Sequence, residues 1–130
     1  MATRTLTGAE FEDIIRDNEI VLIDFWAAWC GPCRAFAPVF EAASKEHADI
    51  VFAKVDTEAE RGLASAAGIT SIPTLWAFRE GVLVFAQAGA LPAPALEQVV
   101  AAVRGLDMVD VHCVVAEQQV AVDRWAISGA

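Results

Sequence analysis

A chain of 130 residues, 56% of them apolar, is long enough for one domain with a closed core and leaves little room for two. Its apolar residues come in short runs broken by Gly, Pro or charge, and Met1 to Leu6 lack the apolar region of a signal peptide. No membrane span is therefore predicted, and a soluble cytosolic protein is the expectation. The formal charge of −9 is spread without an acidic block, which favours solubility and argues against nucleic acid as the main partner, because phosphate binding needs clustered Lys and Arg.

In chain order, a short strand is predicted near Arg4 to Leu6. Thr7-Gly8-Ala9-Glu10 reads as a capping box for a helix over about 8–17, with Phe11, Ile14 and Ile15 at helical spacing. Ile20 to Trp26 is a near-continuous apolar run of strand length, as expected of a central strand covered on both faces. Next comes Trp29-Cys30-Gly31-Pro32-Cys33, and from about Pro32 a helix through Phe36, Phe40, Ala43 and His47, with a kink expected at Pro38. Ile50 to Val55 is the next strand, and Glu58 to Ala67 a short helix closed by Gly68. A strand over 74–78, a turn at Arg79-Glu80-Gly81 and an antiparallel partner over 82–87 follow. Pro92 opens a helix that ends near Gly105. The order β-α-β-α-β-α-β-β-α predicts an α/β protein with a mixed sheet and helices on both faces. In the remainder, residues 107–130, Met108, Val111, Val115, Val122 and Trp125 recur at helical spacing behind Asp107. A further helix and an irregular tail are both compatible with that stretch.

Three cysteines, two of them in one Cys-x-x-Cys unit, are a poor framework for a disulfide-stapled secreted domain. Residues three apart share a helical face, so Cys30 and Cys33 are close enough for a disulfide. Gly31 permits a sharp turn after the strand, and Pro32 presets a helical φ where no N–H partner is needed. Cys30 then sits over the free N–H groups and positive dipole end of a helix, which favours a nucleophilic thiolate. A structural disulfide and half of a zinc site are the competing readings. Zinc takes about four ligands, and His47, His112 and Cys113 lack suitable spacing, so no metal is expected.

Further elements extend this motif: Asp24-Phe25-Trp26-Ala27, Ala37-Pro38, Val55-Asp56, Ser71-Ile72-Pro73-Thr74, the Gly81 turn and Gly89-Ala90. With Trp29-Cys30-Gly31-Pro32-Cys33 they make residues 3 to about 105 resemble the thioredoxin family. The resemblance implies a thioredoxin fold over residues 1–106, with 107–130 as a C-terminal extension. Thr57-Glu58-Ala59-Glu60-Arg61 further resembles the second bacterial type, although that type usually carries an N-terminal zinc module of four cysteines that this chain lacks.

The resemblance implies a protein-disulfide reductase. Cys30 would attack a client disulfide and Cys33 would resolve the mixed disulfide. It also implies recharging by a flavin-containing, NADPH-dependent thioredoxin reductase, no tightly bound cofactor, and ribonucleotide reductase, peroxiredoxins and methionine sulfoxide reductases as clients. Asp24 lies in a strand without a wet side, where burial raises a carboxyl's pKa, and the family gives the matching Asp the role of base toward Cys33. Counting back from Val55-Asp56 places Phe52 where thioredoxins often carry a Lys beside this Asp, so Asp24 is expected to lack a cation. The Ile72–Pro73 bond is cis in the family, exposing backbone beside the sulfurs for an extended substrate. Trp29, Gly31, Pro32, Gly89 and Ala90 complete the expected binding rim.

Trp26 and Trp76 read as core and cleft-wall residues, His47 as a solvated helix-end residue, Arg34 as a plain exposed arginine, with added positive potential near the thiolate as the alternative, and Cys113 as a spare thiol. Two rival functions remain: a disulfide oxidase or isomerase, whose members usually carry His inside the Cys-x-x-Cys, and a binding subunit or holdase without turnover.

Overall fold

The strand Ile20–Trp26 (β2) is the spine of the molecule, and all of it but Trp26 is buried. The computed structural model describes residues 2–128, with side chains as far as residue 119. Around β2 lie β1 (Thr3–Thr5), α1 (Phe11–Asp17), α2 (Gly31–Glu46), β3 (Val51–Asp56), α3 (Arg61–Ala66), β4 (Thr74–Arg79), β5 (Val82–Ala88), α4 (Ala93–Arg104) and α5 (Met108–Ser128). The five strands form one mixed sheet in the order β1-β3-β2-β4-β5. The pairs β1–β3 and β2–β3 are parallel, while β2–β4 and β4–β5 are antiparallel.

The pleat of β2 sorts its side chains to two cores. Ile20 and Leu22 pack with Phe36 and Phe40 of α2, Phe52 of β3, and Leu96 and Val100 of α4. Val21, Ile23 and Phe25 pack on the opposite face with Leu6, Ile15, Ala53, Val55 and Phe78. Each fully buried Phe contributes about 2–3 kcal/mol of transfer free energy. By the same alternation Asp24 and Trp26 fall on the α2 face. A carboxyl group is thus built into the layer beneath the cysteines.

Two helices start later than their sequences suggest, both for long-range or side-chain reasons. The Thr7 hydroxyl donates to Glu10 Oε1 (3.0 Å) instead of accepting from a backbone amide, and Glu60 Oε1 takes the Gly8 N–H (2.6 Å). Residues 8–10 are therefore held as a turn, and α1 begins at Phe11. Similarly, Asp56 Oδ1 accepts from the amides of Glu58 (2.9 Å) and Ala59 (3.3 Å), which postpones α3 to Arg61. The helix α2 runs on through Pro38.

The β4–β5 turn uses Glu80 (φ 50°) and Gly81 (φ 79°), the paired positive φ values that suit a two-residue hairpin. At this end of the sheet Arg79 Nη1 donates to the carbonyls of Val103 (2.8 Å), Arg104 (2.8 Å) and Leu106 (3.1 Å), closing the C-terminus of α4. The stretch after Asp107 is helical: Asp107 Oδ1 accepts from the amides of Val109 (3.0 Å) and Asp110 (3.3 Å) as an N-cap, and His112 Nε2 lies 3.1 Å from Glu80 Oε1. Among the described residues no helix is long and apolar enough to cross a membrane.

Candidate active site

The α2 N-terminus meets the C-terminal end of β2 at the Cys-x-x-Cys unit. Cys30 is the N-cap, with extended backbone (φ −87°, ψ 113°), and Gly31 and Pro32 form the first turn. Cys30 and Cys33 are joined by a disulfide with Cα atoms 5.2 Å apart. The Cys33 amide donates to Cys30 Sγ (3.2 Å), so this sulfur occupies the place of a capping oxygen. Both cysteines are buried, with Ala27, Trp26 and Ile72 packed around them. When the bond is reduced, a negative charge on Cys30 Sγ gains both that N–H and the dipole of a 16-residue helix.

The opposite lip comes from the loop before β4. The Ile72–Pro73 bond is cis, and Ile72 O lies 3.7 Å from Cys30 Sγ. Pro73 is buried and its carbonyl accepts from the Gly89 N–H (2.7 Å), tying the two loops together. Gly89 has φ +105°, a conformation that L side chains rarely adopt, while the space around it is open. Its glycine is therefore set by backbone geometry. Ala90 is exposed beside it.

Trp29 immediately precedes Cys30 and is 67% exposed. Its indole N–H donates to Glu58 Oε1 (2.9 Å), and Glu58 Oε2 accepts from Arg61 Nη2 (2.8 Å). Glu58 thus steadies the most exposed apolar surface of the rim, a role that its expected place at the start of a helix did not reveal.

Asp24 is fully buried, and neither carboxylate oxygen has a hydrogen-bond partner among the described residues. Burial pushes its pKa up to about 6, and Lys54 works against that shift. This corrects the register inferred from sequence. In the β2–β3 ladder Trp26 pairs with Asp56, so Lys54 stands opposite Asp24 and Phe52 opposite Leu22. Asp24 has its cation after all. Alternation could not expose the error, because a two-residue slip keeps every side chain on the same face. The Lys54 ammonium also lies 5.0 Å from the centroid of the Trp26 ring. A cavity of about 800 Å³ adjoins this group, lined in part by Trp26, Pro38, Glu41, Lys45 and Lys54.

His47 is also corrected. Its side chain is only 19% exposed, with Nε2 2.8 Å from Glu97 Oε2 and Nδ1 3.1 Å from Arg104 Nη2. The guanidinium can only donate, which assigns Nδ1 as acceptor and Nε2–H as donor. Among the described residues, Glu46, His47 and Glu97 bring three potential metal-ligand atoms within 4.8 Å of one another. A metal on Nε2 would need a proton on Nδ1, facing Arg104, so this group reads as a hydrogen-bond network. Cys113 is an exposed free thiol on α5, remote in sequence from the pair.

A mixed sheet with helices on both faces, carrying a disulfide across the first turn of its second helix and a cis-proline lip, defines a class of thiol–disulfide exchange proteins. The thioredoxin family profile matches residues 2–102. The putative thioredoxin 2 of Streptomyces coelicolor is 57% identical over 118 residues, covering 91% of this chain and 88% of that protein. That match is long enough to run into α5. Among solved structures, a single-substitution mutant of a thioredoxin from Halobacterium salinarum superposes with a TM-score of 0.75 at 34% identity, covering 82% of this chain and 95% of the other. A chain solved for the structural basis of the thiol-resolving mechanism in yeast mitochondrial 1-Cys peroxiredoxin, via glutathione/thioredoxin systems, gives 0.71 at 30% identity, covering 76% and 93%. The chain belongs to the thioredoxin family and is a dithiol–disulfide oxidoreductase.

Proposed function

We propose that this protein is a general reductant of protein disulfides, with Cys30 as the attacking thiolate, Cys33 as the resolving thiol and Asp24 as the base. Cys30 attacks one sulfur of the client disulfide, forming a mixed disulfide and releasing the client's other sulfur as a thiolate. Asp24 takes the Cys33 proton. The Cys33 thiolate then attacks Cys30, closing the intrachain disulfide and releasing the client with two added electrons. The observation that carries this reading is the position of Cys30 Sγ, 3.2 Å from the Cys33 amide at the start of α2, above a buried carboxyl held near neutrality.

Trp29, Gly31, Pro32, Ile72, Pro73, Gly89 and Ala90 form the client-binding rim, where the backbone at Ile72 pairs with an extended segment. Recharging falls to an NADPH-dependent thioredoxin reductase in the cytoplasm, and clients include peroxiredoxins, ribonucleotide reductase and methionine sulfoxide reductases. The peroxiredoxin context of the yeast neighbour supports the first of these. Residues 1–106 act as the catalytic domain and 107–130 as a C-terminal extension that includes α5. Gly31-Pro32 between the cysteines, with no His, favours a reductant over an oxidase or isomerase.

The test is NADPH-coupled insulin reduction with and without a thioredoxin reductase. Turnover is expected only with the reductase present, and is expected to vanish in Cys30→Ser. Cys33→Ser is expected to accumulate the mixed disulfide. Chaperone-like binding that survives the double Cys→Ser change, with no reductase-dependent turnover in the parent, would favour the holdase reading instead.

A further inference from the structure

The rim residues Trp29, Gly31, Pro32, Ile72, Pro73, Gly89 and Ala90 carry no charge of their own, and a cation stands beside them. Arg34 lies one turn beyond Cys30 and is exposed. Its Nη1 donates to Ala28 O (2.9 Å), and its Nη2 is 3.9 Å from the point where a Cβ on Gly31 would sit. The side chain is therefore folded back over the first turn of α2, beside the residue that follows Cys30.

What sets Arg34 apart is that, among the described residues, no carboxylate pairs with it. The chain has 18 acidic residues against nine Lys and Arg. Every other arginine whose side chain is described holds an acidic partner: Arg4 with Glu10, Arg16 with Asp13, Arg61 with Glu58, Arg79 with Glu19, and Arg104 with Asp49. The charges nearest Trp29, on Glu58 and Arg61, cancel each other. A guanidinium has five N–H donors in a planar fork, and a single carbonyl leaves most of them unused.

The geometry points to Arg34 as a specificity-determining residue that selects client segments bearing a carboxylate within two residues of the reactive cysteine. This rests on the reductase reading above. A client carboxylate would complete the fork that the chain itself leaves open, and it would offset the repulsion that a chain of charge −9 exerts on acidic partners. The contact is exposed, so its effect on kcat/KM is about two- to fivefold and fades at high salt.

The test uses peptide disulfides identical except for Asp, Asn or Lys, placed in turn at each of the two positions on either side of the cysteine. The full chain is assayed as parent, Arg34→Gln, Arg34→Lys and Arg34→Glu, at low and high salt. In the parent, at least one Asp peptide is expected to exceed its Asn counterpart two- to fivefold and the Lys peptide to fall below it. Arg34→Gln should bring the ratios to one, Arg34→Lys should restore part of the preference, and Arg34→Glu should reverse it. Comparing ratios within each variant removes any change in Cys30 reactivity common to all peptides. The inference is overturned if no Asp peptide is preferred by the parent, or if Arg34→Gln keeps the preference. Failure of the reductase reading would look different, as no reduction of the Asn peptides at all.

Discussion

Replacing Asp24 by Asn should make the oxidised protein more stable at neutral pH, by an amount that the site itself sets. Burial raises the carboxyl from 3.8 to about 6. Folding therefore favours the protonated form: its contribution is fully present below pH 3.8 and is lost as pH rises through about 6. At about 1.4 kcal/mol per pH unit, the parent forfeits about 3 kcal/mol across that window. The group has no solvent exposure to screen it. A side-chain amide does not titrate, so the stability of Asp24→Asn minus that of the parent should grow by about 3 kcal/mol between about pH 3.5 and about pH 7.5. The matching difference in Tm should grow by about 10 °C. Guanidinium unfolding of both proteins, disulfide intact, at half-unit pH steps measures it, and the other carboxylates cancel in the difference. A flat difference, or one that opens below about pH 4, would show that Asp24 titrates as an ordinary carboxyl and would remove the physical basis for its role as base.

Lys54→Met should raise the Asp24 pKa above about 6, because the cation that opposes burial is gone; carboxyl-carbon NMR titration reads the shift directly, and the acid limb of the insulin-reduction profile should move upward with it. Gly89→Ala places a side chain at φ +105° and should lower stability by about 1–3 kcal/mol while raising KM, because the loop that clasps Pro73 must shift; unchanged unfolding would contradict the stated reason for that glycine. Arg79→Ala strips three carbonyls of one donor group and should destabilise by about 2–3 kcal/mol, with amide exchange rising at the α4–α5 corner and kcat unaltered.

The sequence signals that proved reliable were those written locally. Ile20 to Trp26 is apolar enough to dictate its own strand, and its limits match β2 residue for residue. Pro92 opens α4 through its fixed φ, and Asp107 caps α5 with its own carboxylate. The misjudged features depend on partners far along the chain. Glu60 reaches 52 residues back to Gly8 and reshapes the start of α1. Glu97 and Arg104 of α4 close over His47, which in isolation looks like any helix-end histidine. Lys54 was legible as a lone cation in an apolar strand, but only the ladder between β2 and β3 assigns it to Asp24.

The corner fixed by Arg79 has a practical corollary. It lies at the end of β4 remote from Thr74, and β4 spans six residues, about 20 Å. The helix that starts there leaves from the pole opposite the dithiol. Coupling the Cys113 thiol to a bead or a dye would tether the molecule by its back and leave the working face pointing outward, whereas a label of the same size on the Trp29 side would block the entrance.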